Sequence, residues 1–309
     1  MKLSTVWREV ETHARALGAL RAGASPLGDE HAHLFDEWIA NGHEASMAYL
    51  RKNRDARLDP AARFPWARSV IAIAVPYSSE RRAESSQSFA AHIARYALGD
   101  DYHGVLDRML REIEARLHEL APEVQTRRYV DTGPLSDRAY GAQGGLGWIG
   151  RNGMLIDPDH GSYFFIGTLL TSLEPDLDVE EITDRCGACT RCLDACPTSA
   201  ILTNRTVASE HCLSYVTIEH RGPIDPRIAE RLEGNAFGCD ICQEVCPWNA
   251  APAPSHPSFE PREEYRARPI HDLLRFNQAD FSSLFRNSAV KRAKLEGMRR
   301  NVEMVVRSP

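Results

Sequence analysis

All eight cysteines of this 309-residue chain fall between Cys186 and Cys246, and the first 185 residues hold none. That confinement limits the fold more than any other feature. A secreted, disulfide-stapled protein would spread its cysteines along the chain, so the cluster reads as a metal-binding module. The first group runs CGACTRCLDACP, placing Cys186, Cys189, Cys192 and Cys196 in C-x2-C-x2-C-x3-C-P spacing. This is the bacterial ferredoxin pattern for a [4Fe–4S] cluster, in which the fourth cysteine ligates the other cluster of a pair. The second group is Cys239, Cys242 and Cys246, again followed by proline, with Cys212 alone upstream. Cys212 then takes the place of the first cysteine in a diverged second copy. Cross-ligation assigns Cys186, Cys189, Cys192 and Cys246 to one cluster. It assigns Cys196, Cys212, Cys239 and Cys242 to the other. Two zinc sites would also use four ligands each, but the doubled C-x3-C-P marks iron–sulfur chemistry. Two clusters in series conduct single electrons, and the cysteine-free region ahead of them is expected to receive those electrons.

The rest of the chain reads as a mixed α/β protein. Leu3, Val6, Trp7, Val10, Ala14 and Leu17 have the 3–4 spacing of an amphipathic helix. Leu34, Phe35, Trp38 and Ile39 suggest a second, shorter one. Val70 to Val75 is an unbroken apolar run closed by Pro76, expected to be a strand buried on both faces. Residues 79–88 are polar and read as an exposed loop. A long helix is expected to carry Leu106, Met109, Leu110, Ile113, Leu117 and Leu120 on one face, entered through Asp101-Tyr102-His103-Gly104. Strands are expected at TRRYVD, ending on Asp131, and over 153–157 and 162–171. Residues 251–262, with four prolines, read as a linker before one or two final helices.

The segment from Asp131 to Gly153 contains six glycines after position 140. Such density implies repeated turns or close approach of the backbone to a large body. Its G-x-G-x-x-G stretch lies between a helix and a strand in the wrong order for a dinucleotide site. Asp131, at a strand end beside a Gly-Pro turn, is a candidate for burial and a raised pKa, and hence for a general acid. Asp137 reads as an acid at the start of a helix over 136–143. Formal charge is −6 for the chain, but residues 286–309 hold seven lysines and arginines against two glutamates. That tail is either a solvated helix face or a local phosphate-binding patch. The N-terminus has no apolar run of the signal-peptide kind and no stretch is long enough to span a membrane, so a cytoplasmic protein without membrane contact is expected.

In combination, RYALGDDYH at 95–103, VDTGPLSDRAYGAQGGLGWIGRNG at 130–153, the doubled cysteine motif and KRAKLEGMRRN at 291–301 resemble the epoxyqueuosine reductases. The resemblance implies an α+β fold. A nitroreductase-like domain binding cobalamin and substrate would occupy 1–180. A ferredoxin-like domain with two [4Fe–4S] clusters would follow over 181–255, then a helical segment with the basic patch over 256–309. It implies reduction of epoxyqueuosine to queuosine at the tRNA wobble position. Asp131 would be the proton donor, with Tyr102 and His103 in the same pocket. Arg57, Arg138, Trp148 and Asn152 would lie against the corrin. The anticodon arm of tRNA would be held by the basic tail and by Arg81 and Arg82, and a low-potential donor such as a ferredoxin or flavodoxin would supply electrons. The chain stops soon after KRAKLEGMRRN, where longer members of that family continue into a helical-repeat domain. A corrinoid reductase of the dehalogenase type, acting on a small molecule, is the nearest other reading; a simple electron carrier is a third.

Overall fold

The computed structural model describes residues 1–29, 31–77 and 83–307. Helix α1 (Ser4–Ala16) leads into strand β1 (Arg21–Pro26), followed by four short helices: α2 (Ala32–Ala40), α3 (Ala48–Lys52), α4 (Arg54–Leu58) and α5 (Pro60–Arg63). Then come β2 (Ser69–Pro76), the long helix α6 (Tyr102–Leu120), β3 (Thr126–Tyr129), α7 (Asp137–Gln143), the two-residue strands β4 (Trp148–Ile149) and β5 (Leu155–Ile156), and β6 (Phe164–Thr171). Four of the strands make one sheet in the order β1-β2-β6-β3, antiparallel throughout.

The apolar run of β2 is fully buried because both faces of the sheet are covered. Ile71, Ile73 and Val75 join Val6 and Val10 of α1 and Leu106, Leu110 and Ile113 of α6 in one core. The alternate residues Val70, Ala72 and Ala74 turn the other way, toward Tyr140 and Ala142 of α7 and Leu155 of β5. Period-two alternation thus feeds two cores from one apolar strand. Helix α6 starts where its sequence says it should: the Asp101 carboxylate caps it by accepting the His103 N–H at 3.1 Å.

Two close approaches at the glycine-rich segment are of the protein's own backbone. A Cβ at Gly23 would sit 1.8 Å from the carbonyl oxygen of Gly144, so β1 and the end of α7 meet only without side chains. A Cβ at Gly147 would stand 2.1 Å from the Ile156 carbonyl in the β4–β5 hairpin. Of the two readings the glycines allowed, these two positions serve close packing of chain on chain.

The cysteine region holds α8 (Arg191–Ala195), α9 (Leu213–Ile218), α10 (Pro226–Ala229) and α11 (Ile241–Glu244), with α8 packed on α11. Beyond it lie α12 (Glu263–Ala267), α13 (Gln278–Leu284) and α14 (Lys294–Arg307). These last elements do not form a separate body. Tyr265, Phe281, Phe285, Met298 and Val302 share one core with Phe89, Ile93 and Leu98 from the first third of the chain and Phe237 from the cysteine region. Asn301, fully buried, donates from Nδ2 to the carbonyls of Thr217 and Ala236, each at 2.8 Å, and so ties α14 to the cysteine region. Residues 79–82 of the expected loop, including Arg81 and Arg82, lie outside the described residues.

Candidate functional site

The end of β3 and the start of α6 converge on Asp131. Its backbone is in the left-handed region at φ 58°, a conformation aspartate tolerates better than most residues. The Tyr102 hydroxyl donates to Asp131 Oδ2 at 2.8 Å, and His103 Nε2 lies 3.8 Å from the same oxygen. Tyr102 is fixed by stacking on Phe165 with ring centroids 4.4 Å apart, and on His103 at 4.1 Å. Burial and then the charge of Asp131 hold the Tyr102 hydroxyl protonated, well above its ordinary pKa. His103 is turned by its Nδ1, which sits 2.7 Å from Asp101 Oδ1. Burial pulls its pKa down, but the hydrogen bond and charge of Asp101 and the charge of Asp131 outweigh this, so the imidazole is raised.

The burial expected of Asp131 is not what the fold delivers: its side chain is 66% exposed. The more enclosed acid is Asp137, first residue of α7, half-buried beneath the sheet. Burial, followed by the nearby charge of Asp131, pushes its pKa up to about 7 against the pull of Thr168 and Arg57. The difference arises because Asp131 ends an edge strand, whereas α7 lies flat on β2 and β6 and its first side chain points inward.

The remaining expected residues are spread over two neighbourhoods. Arg57 donates Nη2 to the Gly133 carbonyl at 2.9 Å and Nη1 to that of Leu135, just after Asp131. Desolvation of its guanidinium lowers the pKa of Arg138, which donates to the Gly153 carbonyl. Asn152 donates from Nδ2 to the Cys242 carbonyl at 3.3 Å, and Trp148 packs edge-on against Trp248 at 4.9 Å. These two therefore border the cysteines, and Trp248 joins them unannounced by the sequence. Trp148 Nε1, Gln143 Oε1 and Arg151 Nε, all from the glycine-rich segment, are buried without a hydrogen-bond partner among the described residues.

Cys186, Cys189, Cys192 and Cys246 line one cavity together with Asn152, Pro247 and Trp248. Burial pushes the Cys239 thiol up to about 12, with the charges of Cys212 and Cys196 adding to it. Cys242 is likewise raised by burial and then by Cys239 and Cys212. All eight cysteines are free of disulfides. Among the described residues no three His, Cys, Asp or Glu side chains close on a point as a single-ion site; Cys186, Cys189, Cys192 and Cys246 border a space instead.

An open cleft near Asp131 is lined by Ser46, Met47, Tyr49, Glu219, His220, Arg221, Arg292 and Lys294. Arg292 is bound by Glu219 at 2.7 and 3.0 Å and lies over the Tyr49 ring, 5.7 Å from its centroid. Tyr49 is another residue for which the sequence offered no signal. Arg300 donates to the carbonyls of Val216, His220 and Gly222, and Arg299 to that of Phe276. So part of the tail's positive charge serves internal contacts, while Arg286, Lys291 and Lys294 stay exposed.

Two family models match the chain: "4Fe-4S double cluster binding domain" over residues 185–249, and "Epoxyqueuosine reductase QueG, DUF1730" over 57–132. The epoxyqueuosine reductase of Cellulophaga algicola is 36% identical over 299 residues, covering 96% of this chain and 96% of that protein. The chain belongs to the epoxyqueuosine reductase family. Solved family members share the fold. An epoxyqueuosine reductase crystallised with an epoxyqueuosine-modified tRNA-Tyr stem loop aligns over 99% of this chain and 82% of its own, at 28% identity and a TM-score of 0.85. The Bacillus subtilis epoxyqueuosine reductase, captured with its catalytic aspartate loop swung out of the active site, matches with a TM-score of 0.85 at 27% identity, over 99% and 82% of the two chains.

Proposed function

We propose that this protein reduces epoxyqueuosine in tRNA to queuosine, the last step in making that nucleoside, with two [4Fe–4S] clusters and cobalamin. The observation that carries the reading is the Asp131, Tyr102 and His103 cluster, set in a chain that aligns end to end with epoxyqueuosine reductases. One cluster would be held by Cys186, Cys189, Cys192 and Cys246, whose shared cavity suits a body larger than an ion. The other would be held by Cys196, Cys212, Cys239 and Cys242. The unpartnered Trp148 Nε1 and Gln143 Oε1 suit an amide-rimmed macrocycle such as cobalamin, with Arg57, Arg138 and Asn152 bordering it, while Arg151 lines the cysteine cavity. When bound, these groups supply low-potential single electrons and a strongly reducing cobalt centre.

The protein's own residues manage protons and position. Converting the epoxide to an alkene takes two electrons and two protons and releases water. Asp131 Oδ2 protonates the departing oxygen, which would otherwise leave as an alkoxide. His103 Nε2, with its raised pKa, resupplies Oδ2, and Tyr102 holds that oxygen in place. The modified base would leave its stack to reach Asp131, with exposed Lys291 and Lys294 on anticodon-arm phosphates. A ferredoxin or flavodoxin is the proposed electron donor. No helix among the described residues is long and apolar enough to cross a membrane, and the cytoplasm, where tRNA is matured, is the proposed location. The test is anaerobic incubation of the protein, reconstituted with clusters and cobalamin, with epoxyqueuosine tRNA and a low-potential reductant, followed by nucleoside mass spectrometry. Queuosine is the expected product; its absence from a fully loaded enzyme would overturn the reading.

A further inference from the structure

The turn that carries Asp131 is gripped from two sides by groups with no evident part in the proton transfer. On one side stands Arg57 of α4, which packs over the Phe35 ring with 5.6 Å to its centroid. Its forked guanidinium reaches two carbonyls of the turn, Gly133 at 2.9 Å and Leu135. Two bonds from one planar group fix a segment in orientation as well as distance. On the other side is Asp137. Its carboxyl accepts the hydroxyl of Thr168 from β6 at 3.0 Å and lies close enough to the Asp131 backbone amide to be stabilised by it when ionised. The turn has little slack to absorb the loss of either grip. Asp131 is at φ 58°, and Gly133 is so close to the Tyr129 ring that a Cβ there would lie 2.5 Å from it.

We propose that Arg57 and Asp137 are positioning residues that latch the Asp131 turn, keeping its carboxyl in register with Tyr102 and His103. The proposal rests on the reading of Asp131 as the proton donor. Asp137 acts on the amide of Asp131 and Arg57 on the carbonyls that follow, so the turn is held at both ends. The groups facing Asp137 are Asp131, Arg57, Thr168, Arg138 and Tyr140. An ionised Asp137 attracts the Asp131 N–H more strongly than a protonated one and also draws Arg57 toward the turn. Because burial has moved its titration to about 7, the latch tightens as pH rises through neutrality.

The experiment is hydrogen exchange of the backbone amides over residues 131–135 in the cluster-loaded protein, at pH 6 and pH 8. Each value is corrected for the intrinsic rate. It is paired with kcat and KM on an epoxyqueuosine-modified tRNA stem loop. Arg57→Met keeps the length of the side chain and loses both bonds; Arg57→Lys keeps the charge and loses the fork. Both variants should exchange this segment about tenfold faster and lower kcat by about 10- to 100-fold, in line with the cost of ~1 Å misplacement of a reacting group. KM should stay within about twofold in each. Asp137→Asn should abolish the extra protection that the wild-type segment gains between pH 6 and pH 8. Unchanged exchange in all three variants, or a loss confined to KM, overturns the latch. If exchange responds as expected but the wild-type protein makes no queuosine, the latch stands and the proposed reaction fails.

Discussion

Asp131→Asn is the substitution that isolates the proton. At φ 58° an alanine would add ~1–2 kcal/mol of backbone strain, and any loss of activity could then be blamed on a disturbed turn. Asparagine has the same shape, tolerates the left-handed region, and still offers an oxygen to the Tyr102 hydroxyl, now 2.8 Å away. Only the ionisable proton disappears. A positioned general acid contributes about 10²- to 10⁴-fold, or roughly 3–5 kcal/mol of barrier at 1.4 kcal/mol per decade. The expected result is therefore a kcat lower by about two to four orders of magnitude, with KM for the tRNA and the visible absorption of the clusters unchanged. Single-turnover conversion under anaerobic conditions, read by nucleoside mass spectrometry, measures it directly. A kcat within about tenfold of wild type, a difference of ~1.4 kcal/mol, would refute the assignment of Asp131 as donor.

Other residues make claims of the same kind. Cys246→Ser should remove about half the iron, because under crossed ligation it breaks the set that also contains Cys186, Cys189 and Cys192; iron and sulfide analysis with electron paramagnetic resonance of the remaining cluster checks this. Replacing Lys291 and Lys294 with glutamine should flatten the salt dependence of tRNA affinity by about 0.7–0.9 in log–log slope for each phosphate that is no longer neutralised. An unchanged slope returns both lysines to plain solvent exposure. Asn301→Leu leaves the carbonyls of Thr217 and Ala236 buried without their donor. At ~1–3 kcal/mol for each orphaned group, it should destabilise the cluster-loaded protein by about 2–5 kcal/mol in urea unfolding, and a shift below about 1 kcal/mol would deny the tie between α14 and the cysteine region.

Features written in local spacing were legible in advance. The cysteine pattern, the β2 run and α6 with its Asp101 cap all follow from neighbours within a few residues of one another, and the structure forms the two elements where they were expected. What stayed hidden depends on distant parts of the chain meeting. RAGASP carries too little apolar character to announce β1, yet it pairs because β2 offers an edge and Gly144 leaves room at Gly23. Asp131 and Asp137 look alike in sequence; only the placement of α7 against the sheet half-buries one and leaves the other exposed. The charge count of the tail overstated its free cations, because Arg292, Arg299 and Arg300 bond to groups 23 to 84 positions away. Arg57 was expected at a cofactor, and its bonds to the Asp131 turn lie 76 and 78 residues along the chain, beyond any motif.

The core that joins Phe89, Ile93 and Leu98 to Tyr265, Phe285 and Met298 sets an order of events during synthesis. A ribosome makes every cysteine before it makes the helices that close this core. Contacts of such long sequence separation form late, so the nascent chain presents its thiols while its second core is still open. Cluster insertion then has a window before α14 docks. Asn301, which bonds to two carbonyls inside that module, those of Thr217 and Ala236, would report that the window has shut.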